Sequence, residues 1–357
     1  MYRLFQKIQI GNIGVTGSVT TEITKSIDNF TQNAVIVLPN ILYREKSKAS
    51  FIVNKAESLE ALISRDDVVK IWSGYNKTFD QLPLRFTGFV TRVEVKENIT
   101  IYCEDYGYAL KSINVASKTF YKTPASGKTE ALLKNIVNYV LLGTTIEVNY
   151  QESGLENLNV GDFIIDNNSV INGIQVFQEL EKVGLKIFPN NGTLYIGVMD
   201  NLVGETKNFI IQHNVAEDNL VYKDNNDDYL VLKGISNLDT NEKIELFAYT
   251  KNKELIINDT GIPGEQRTLN AYNKTESELE ELLRKEYPKF YYTGYSGTFT
   301  TFLEPLTEIN DYVNLYDLQY QERNGKYKIR SVVTKIDMSG GFQEIELRQQ
   351  VAQYKTI

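Results

Sequence analysis

The stretch closest in residue type to a nucleotide site is Ser126-Gly127-Lys128-Thr129, which opens an amphipathic segment. A phosphate-cradling loop needs a second glycine five residues before Gly127, and position 122 is Lys. Without that glycine the backbone cannot curl around phosphates, and a helix N-cap at Ser126 or Thr129 is the reading that remains. Gly11-x-x-Gly14-x-x-Gly17 leads into a second alternating run and not into a helix, so it lacks the setting of a dinucleotide fingerprint. Asp224-x-Asn226-x-Asp228 begins like a calcium loop, but Tyr229 stands where glycine is needed and Ile235 where the closing Glu is needed. A polar turn is expected there. One His (His213) and one Cys (Cys103) cannot build a His/Cys zinc site, and a Cys–His dyad would need these two to meet in the fold. Carboxylates are plentiful, yet no local spacing singles out an acid–base pair. The run Phe290-Tyr291-Tyr292, with Tyr295, has the residue types of a sugar-stacking platform; packing inside a barrel or at an oligomer interface is the commoner use of such a run. No catalytic, cofactor-binding or metal-ligating residue is assigned, no cofactor is implied, and a non-enzyme is expected.

Composition narrows the classes further. The 357 residues are enough for two to four domains, and 42% hydrophobic with 24% charged residues suits a globular chain that buries a real core. Twenty-three Tyr and 16 Phe, with many Val, Ile and Thr, favour strands. A single Cys excludes an intrachain disulfide. No apolar run is long enough to span a bilayer, and residues 1–20 lack the apolar region of a signal peptide, so synthesis and folding in a cytoplasm are expected. Thirty-eight Lys+Arg against 46 Asp+Glu give a net charge of −8 without a basic stripe, which argues against tight nucleic-acid binding.

Periodicity then places the elements. Alternation predicts strands over 2–10, 18–27, 33–38, 67–72, 84–95 and 98–105, with Lys96-Glu97 as a tight turn. Residues 57–64 read as a short helix. The character changes near residue 110. Helices are predicted over 128–142, stopped by Gly143, and over 171–183, ending at Gly184. Asn191-Gly192 joins strands 185–188 and 193–198 as a hairpin. Strands return over 209–212, 229–235, 243–249 and 254–258. A helix over 275–287 begins with a Thr275/Glu278 capping box and is ended by Pro288. Strands over 295–302, 311–317, 326–336 and 342–348 follow, with Asn324-Gly325 as a further turn. The expected fold is β-rich α+β: two similar antiparallel β-barrel domains, 1–110 and 206–357, with an inserted helix-and-hairpin α/β domain at 111–205.

An internal repeat underlies that division. Asp67, Val69, Ile71 and Trp72 align with Asp311, Val313, Leu315 and Tyr316 at an offset of 244, and V-T-R-V-E-V (90–95) aligns with V-T-K-I-D-M (333–338) at 243. Each copy then enters a further strand, through Ile101-Tyr102-Cys103 and Ile345-Glu346-Leu347.

Three stretches resemble the baseplate hub proteins of long-tailed phages, the late control protein D family, similar to the N-terminal hub part of VgrG. They are Asp67–Tyr75 with Phe86-Thr87-Gly88-Phe89-Val90; Val176–Gly197, with Gly184-Leu185 and Gly192–Gly197; and Gly294–Phe299 through Pro305, Asp311-Tyr312-Val313, Gly325-Lys326-Tyr327 and Val332-Val333. One departure is Asn310-Asp311, where the family often has Gly-Asp. The resemblance implies a structural homotrimer whose duplicated barrels form a pseudo-six-fold ring. Such a ring adapts a hexameric tail tube or distal tail protein to a trimeric central spike, and a tape measure protein is a further potential partner. DNA only passes through its channel, direct membrane binding is not expected, and the location is the virion tail baseplate. A contractile injection system or tailocin fits equally. A glycan-binding tail module and a peptidoglycan hydrolase are the alternatives.

Overall fold

The computed structural model describes residues 3–353 apart from 40–42, 47–48, 53–62, 122–128, 154, 156–161, 167–170, 183, 199–201, 224–229, 239–241, 252–253, 273 and 292–293. The Ser126 cap and the Asp224–Asp228 turn therefore lie outside the described residues, as does most of the helix read over 57–64; Ile63 and Ser64, at its end, are not helical. Thr129, the other cap candidate, is already the first residue inside its helix and not the cap before it. The chain forms two compact units, Met1–Asp218 with Thr298–Val313 and Ile329–Glu346, and Asn219–Gly297 with Asn314–Lys328 and Leu347–Ile357.

The first unit opens with β1 Leu4–Ile10, β2 Ile13–Val15, β3 Thr20–Ser26, β4 Asn33–Pro39, β5 Tyr43–Lys46, β6 Ala49–Ile52, β7 Val68–Tyr75, β8 Leu84–Val95 and β9 Asn98–Glu104. Period-two alternation makes the strands and points every second side chain inward. Ile8 and Ile10, Ile23, Ala34, Ile36 and Leu38, Val69 and Ile71, Phe86, and Ile99, Ile101 and Cys103 form one core. The β8–β9 hairpin turns at 96–97 as expected.

After α1 Gly107–Ser112 come β10 Asn114–Val115, β11 Lys118–Phe120, α2 Thr129–Val140, β12 Glu147–Gln151, β13 Phe163–Ile165, β14 Ile171–Asn172, α3 Gly173–Glu181, β15 Leu185–Asn190 and β16 Thr193–Val198. Leu132, Leu133, Ile136, Val137 and Val140 of α2 pack with Val176, Phe177 and Leu180 of α3 and with the inner face of the β12-β16-β15 sheet. Gly143 has φ +82° just past α2, and a reciprocal Asn172/Gln175 capping box starts α3. Asn191 (φ +49°) and Gly192 (φ +92°) turn the β15–β16 hairpin.

The remaining strands are β17 Thr206–Ile210, β18 Val215–Lys223, β19 Leu230–Asn237, β20 Lys243–Lys251, β21 Glu254–Asn258, β22 Glu265–Tyr272, β23 Gly294–Phe302, β24 Tyr312–Tyr316, β25 Gly325–Asp337 and β26 Gly340–Gln353, with α4 Glu276–Phe290 before β23. In the second unit β21-β20-β19-β22 make a separate four-stranded sheet, whose Leu230, Leu232, Leu246 and Ala248 pack on Leu279, Leu283 and Tyr287 of α4. The Thr275/Glu278 capping box is present. Pro288 does not end α4: the helix runs two residues past it, and Tyr291 N donates to Tyr287 O at 2.9 Å. Asn324-Gly325 is not a two-residue turn either. Neither residue has positive φ, the β24–β25 connection runs through a short 3-10 turn at Gln321–Arg323, and Asn324 Oδ1 accepts from Asp317 N at 2.7 Å. The fold is thus β-rich α+β with large antiparallel sheets and a helix-and-hairpin insertion.

Candidate functional site

What the chain repeats is a strand order. β1, β3, β4, β7, β8 and β9 lie side by side as β1-β7-β8-β9-β4-β3; β17, β18, β23, β24, β25 and β26 lie as β17-β24-β25-β26-β23-β18. Numbered along the chain, both sets read first, fourth, fifth, sixth, third, second. Six strands sharing one non-trivial order in both halves is the geometry of a duplication, and V-x-V patterns by themselves do not produce it.

The aligned aspartates make the same turn in both copies. Ser64 N donates to Asp67 Oδ2 at 2.7 Å and Asp67 N to Ser64 O at 3.2 Å. Glu308 N donates to Asp311 Oδ2 at 3.0 Å and Asp311 N to Glu308 O at 3.2 Å. The residues just before them, Asp66 and Asn310, have φ +73° and +74°. Glycine holds such a left-handed backbone most easily, and Asn and Asp are the side chains that tolerate it best after Gly. Asp311 also accepts from Glu205 N at 2.9 Å. The second aligned block starts out of step. Asp67 O accepts from Val90 N, whereas Asp311 O accepts from Ile329 N, four residues before Val333. The buried row of β25 changes step along the way: Ile329 is buried, and further on Val332, Thr334 and Ile336 are buried while Val333 is only partly so.

Buried polar groups tie distant stretches of the first unit together. Lys25 lies in the inward row of β3 and is only 4% exposed. Its Nζ donates to Asn190 Oδ1 at 2.9 Å, Asn191 Oδ1 at 3.1 Å and Glu308 Oε2 at 2.7 Å. Arg85 of β8 donates to Ser73 O, Leu303 O and Gln343 Oε1 at 3.2, 2.7 and 3.3 Å. Burial pulls the Arg85 guanidinium down to about 10, with Glu304 and Glu308 opposing, so it stays charged at neutral pH. Burial pushes the Asp105 carboxyl up to about 7, although Gln32 N and Gly107 N both donate to its Oδ1 at 3.0 Å. Burial likewise raises Asp311 to about 6 and the Cys103 thiol to about 12.

The chemistry-bearing residues do not assemble. Cys103 is buried in the core of the first strand set, and its raised pKa removes thiolate reactivity. His213 is exposed in the turn between β17 and β18. Gly11 (φ +53°) and Gly17 (φ +88°) shape turns flanking β2. No cluster of His, Cys, Asp and Glu able to hold a metal occurs among the described residues, and no helix among them is long and apolar enough to cross a membrane. Among its described residues the aromatic run does not make a platform. Tyr295 is 5% exposed and donates its hydroxyl to Asp317 Oδ2 at 2.6 Å. Tyr291 stacks on Tyr287 with ring centroids 5.3 Å apart, Phe290 is exposed, and Tyr292 lies outside the described residues.

No protein-family profile matches the sequence, and no curated protein does. Solved structures match along nearly the whole chain. The 43 kDa tail protein of prophage MuSo2 from Shewanella oneidensis has 14% identity and a TM-score of 0.60, covering 97% of this chain and 98% of that one. A tail protein from Neisseria meningitidis has 11% identity and a TM-score of 0.59, over 97% and 96%. The E. coli c3393 protein, a type VI secretion component described as similar to T4 tail proteins gp27 and gp5, has 8% identity and a TM-score of 0.53, over 98% and 79%. This chain therefore has the fold of phage tail proteins and their secretion-system counterparts. At the level of the fold, that bears out the resemblance to tail hubs.

Proposed function

We propose that the chain is a structural hub of a phage tail or related injection machine, acting through its interfaces and not through catalysis. In this reading residues 1–110 and 206–357 are two ring-forming modules, with 111–205 inserted between them. Three chains then supply six alike modules. A ring of six can sit under a six-fold tail tube, while the chain identity that alternates around it presents three-fold symmetry to a central spike. DNA slides through the channel, which the net charge of −8 suits by repelling phosphates. The observation that carries the reading is the shared order of six strands in the two halves. The neighbours' full-length match to tail proteins supports it. The test is the mass of the purified protein in solution together with electron microscopy of the particle. Three times the chain mass and a ring of six similar lobes are expected; a protein that stays monomeric alone and with its spike overturns the reading.

A further inference from the structure

Strand β25 has two neighbours along one edge. Near its start it meets β24, where Ile329 N bonds Asp311 O; further on, Ser331–Asp337 run antiparallel to Ser26–Thr20 of β3. Its counterpart β8 has β7 opposite Leu84–Phe89, and among the described residues no strand stands opposite Thr91–Val95 on that edge. Lys96 N donates to Asn98 O, so in this ladder Arg92 and Glu94 bond β9, and the N–H and C=O of Val93 and Val95 project from the open edge. Val95 is 44% exposed.

The strand that corresponds to β3 is β18. Thr21, Ile23 and Lys25 of β3 are buried, whereas no residue of 215–222 is, and Val221 is 61% exposed. Charge repeats as well. Glu22 faces Lys335 across the β3–β25 junction. Arg92 occupies the place of Lys335 in the aligned repeat, and β18 carries Glu217-Asp218. A bare strand edge is a template for another chain.

We infer that β18 of a second copy of this chain adds antiparallel to Thr91–Val95 of β8, repeating between copies the junction that β3 makes with β25 within one. This rests on the ring reading and names the contact that closes the ring. The test combines solution mass, amide exchange of the wild type and two variants. Val93→Pro removes a donor that the β9 ladder does not use, and Val221→Asp puts a charge on an exposed position; both leave the monomer's own pairing intact. Each is expected to weaken one junction about tenfold, and so a ring of three about a thousandfold. In the wild-type trimer the amides of Val93 and Val95 are expected to exchange slowly. A trimer that survives both variants at wild-type strength, or that exchanges these amides freely, overturns this junction and leaves the ring standing. Absence of a wild-type trimer overturns the ring, and the junction with it. If Val93→Pro fails to fold, Val221→Asp and the exchange measurement decide.

Discussion

Strands β3 and β18 hold the same place in their six-strand sets, and they differ in what covers them. β3 has β25 on one side and β4 on the other, and its inward row is sealed. β18 ends its sheet with every described side chain at least partly accessible. Equivalent positions in a duplicated frame should have equivalent surroundings. The comparison thus separates what the chain satisfies for itself from what it leaves for another molecule.

Several substitutions would break or sharpen that contrast. The largest effect is expected at Lys25. Lys25→Ala leaves the partly buried Glu308 carboxylate without its cation and should cost about 3–5 kcal/mol in urea unfolding, with much of the loss recovered in Lys25→Met/Glu308→Gln. The two turn aspartates come next. Asp311→Ala removes the acceptor of Glu205 N and Glu308 N and should cost about 2–3 kcal/mol; Asp67→Ala removes the acceptor of Ser64 N and should cost about 1–2. The reverse order would mean that the two turns are not equivalent in role. Acidity gives a third handle. The folded Asp105 carboxyl titrates near 7 and the unfolded one near 4, so the folded state holds the extra proton between them. Its contribution to stability is complete below about pH 4 and is lost as pH rises towards 7; Asp105→Asn should flatten the melting temperature across that window. The smallest effect is expected at the exposed strand: Val221→Ala should change the stability of the isolated chain by less than about 0.5 kcal/mol, where Ile23→Ala in β3 costs about 2–5.

The same contrast governed what could be read from the residues. Strands that bury one face announce themselves by alternation, and β3, β4, β7, β8 and β9 fall within a few residues of where the pattern puts them. β18 was invisible because V-A-E-D-N-L-V-Y-K has no inward row to reveal. β22 escaped for a similar reason: E-Q-R-T-L-N-A-Y reads as polar, and it is placed by its parallel pairing with β19. The capping box of α4 was legible, but its C-terminus was not, because packing of Leu279, Leu283 and Tyr287 carries the helix past Pro288. The repeat was visible through Asp67 and Asp311, while the slip between Val90 and Ile329 depends on where strands separate, which residue types do not record. Lys25, Arg85 and Asp105 carry no sequence signal as a group, since their partners lie far along the chain.

That distance has a consequence for synthesis. The ammonium of Lys25 leaves the ribosome 283 residues ahead of the carboxylate that neutralises it. Until Glu308 arrives, desolvating the cation is unfavourable, and the inner face of β3 stays wet. A nascent or truncated chain that stops short of β25 therefore leaves β3 without the neighbour that covers it in the completed one, and the last fifth of translation decides whether that junction closes.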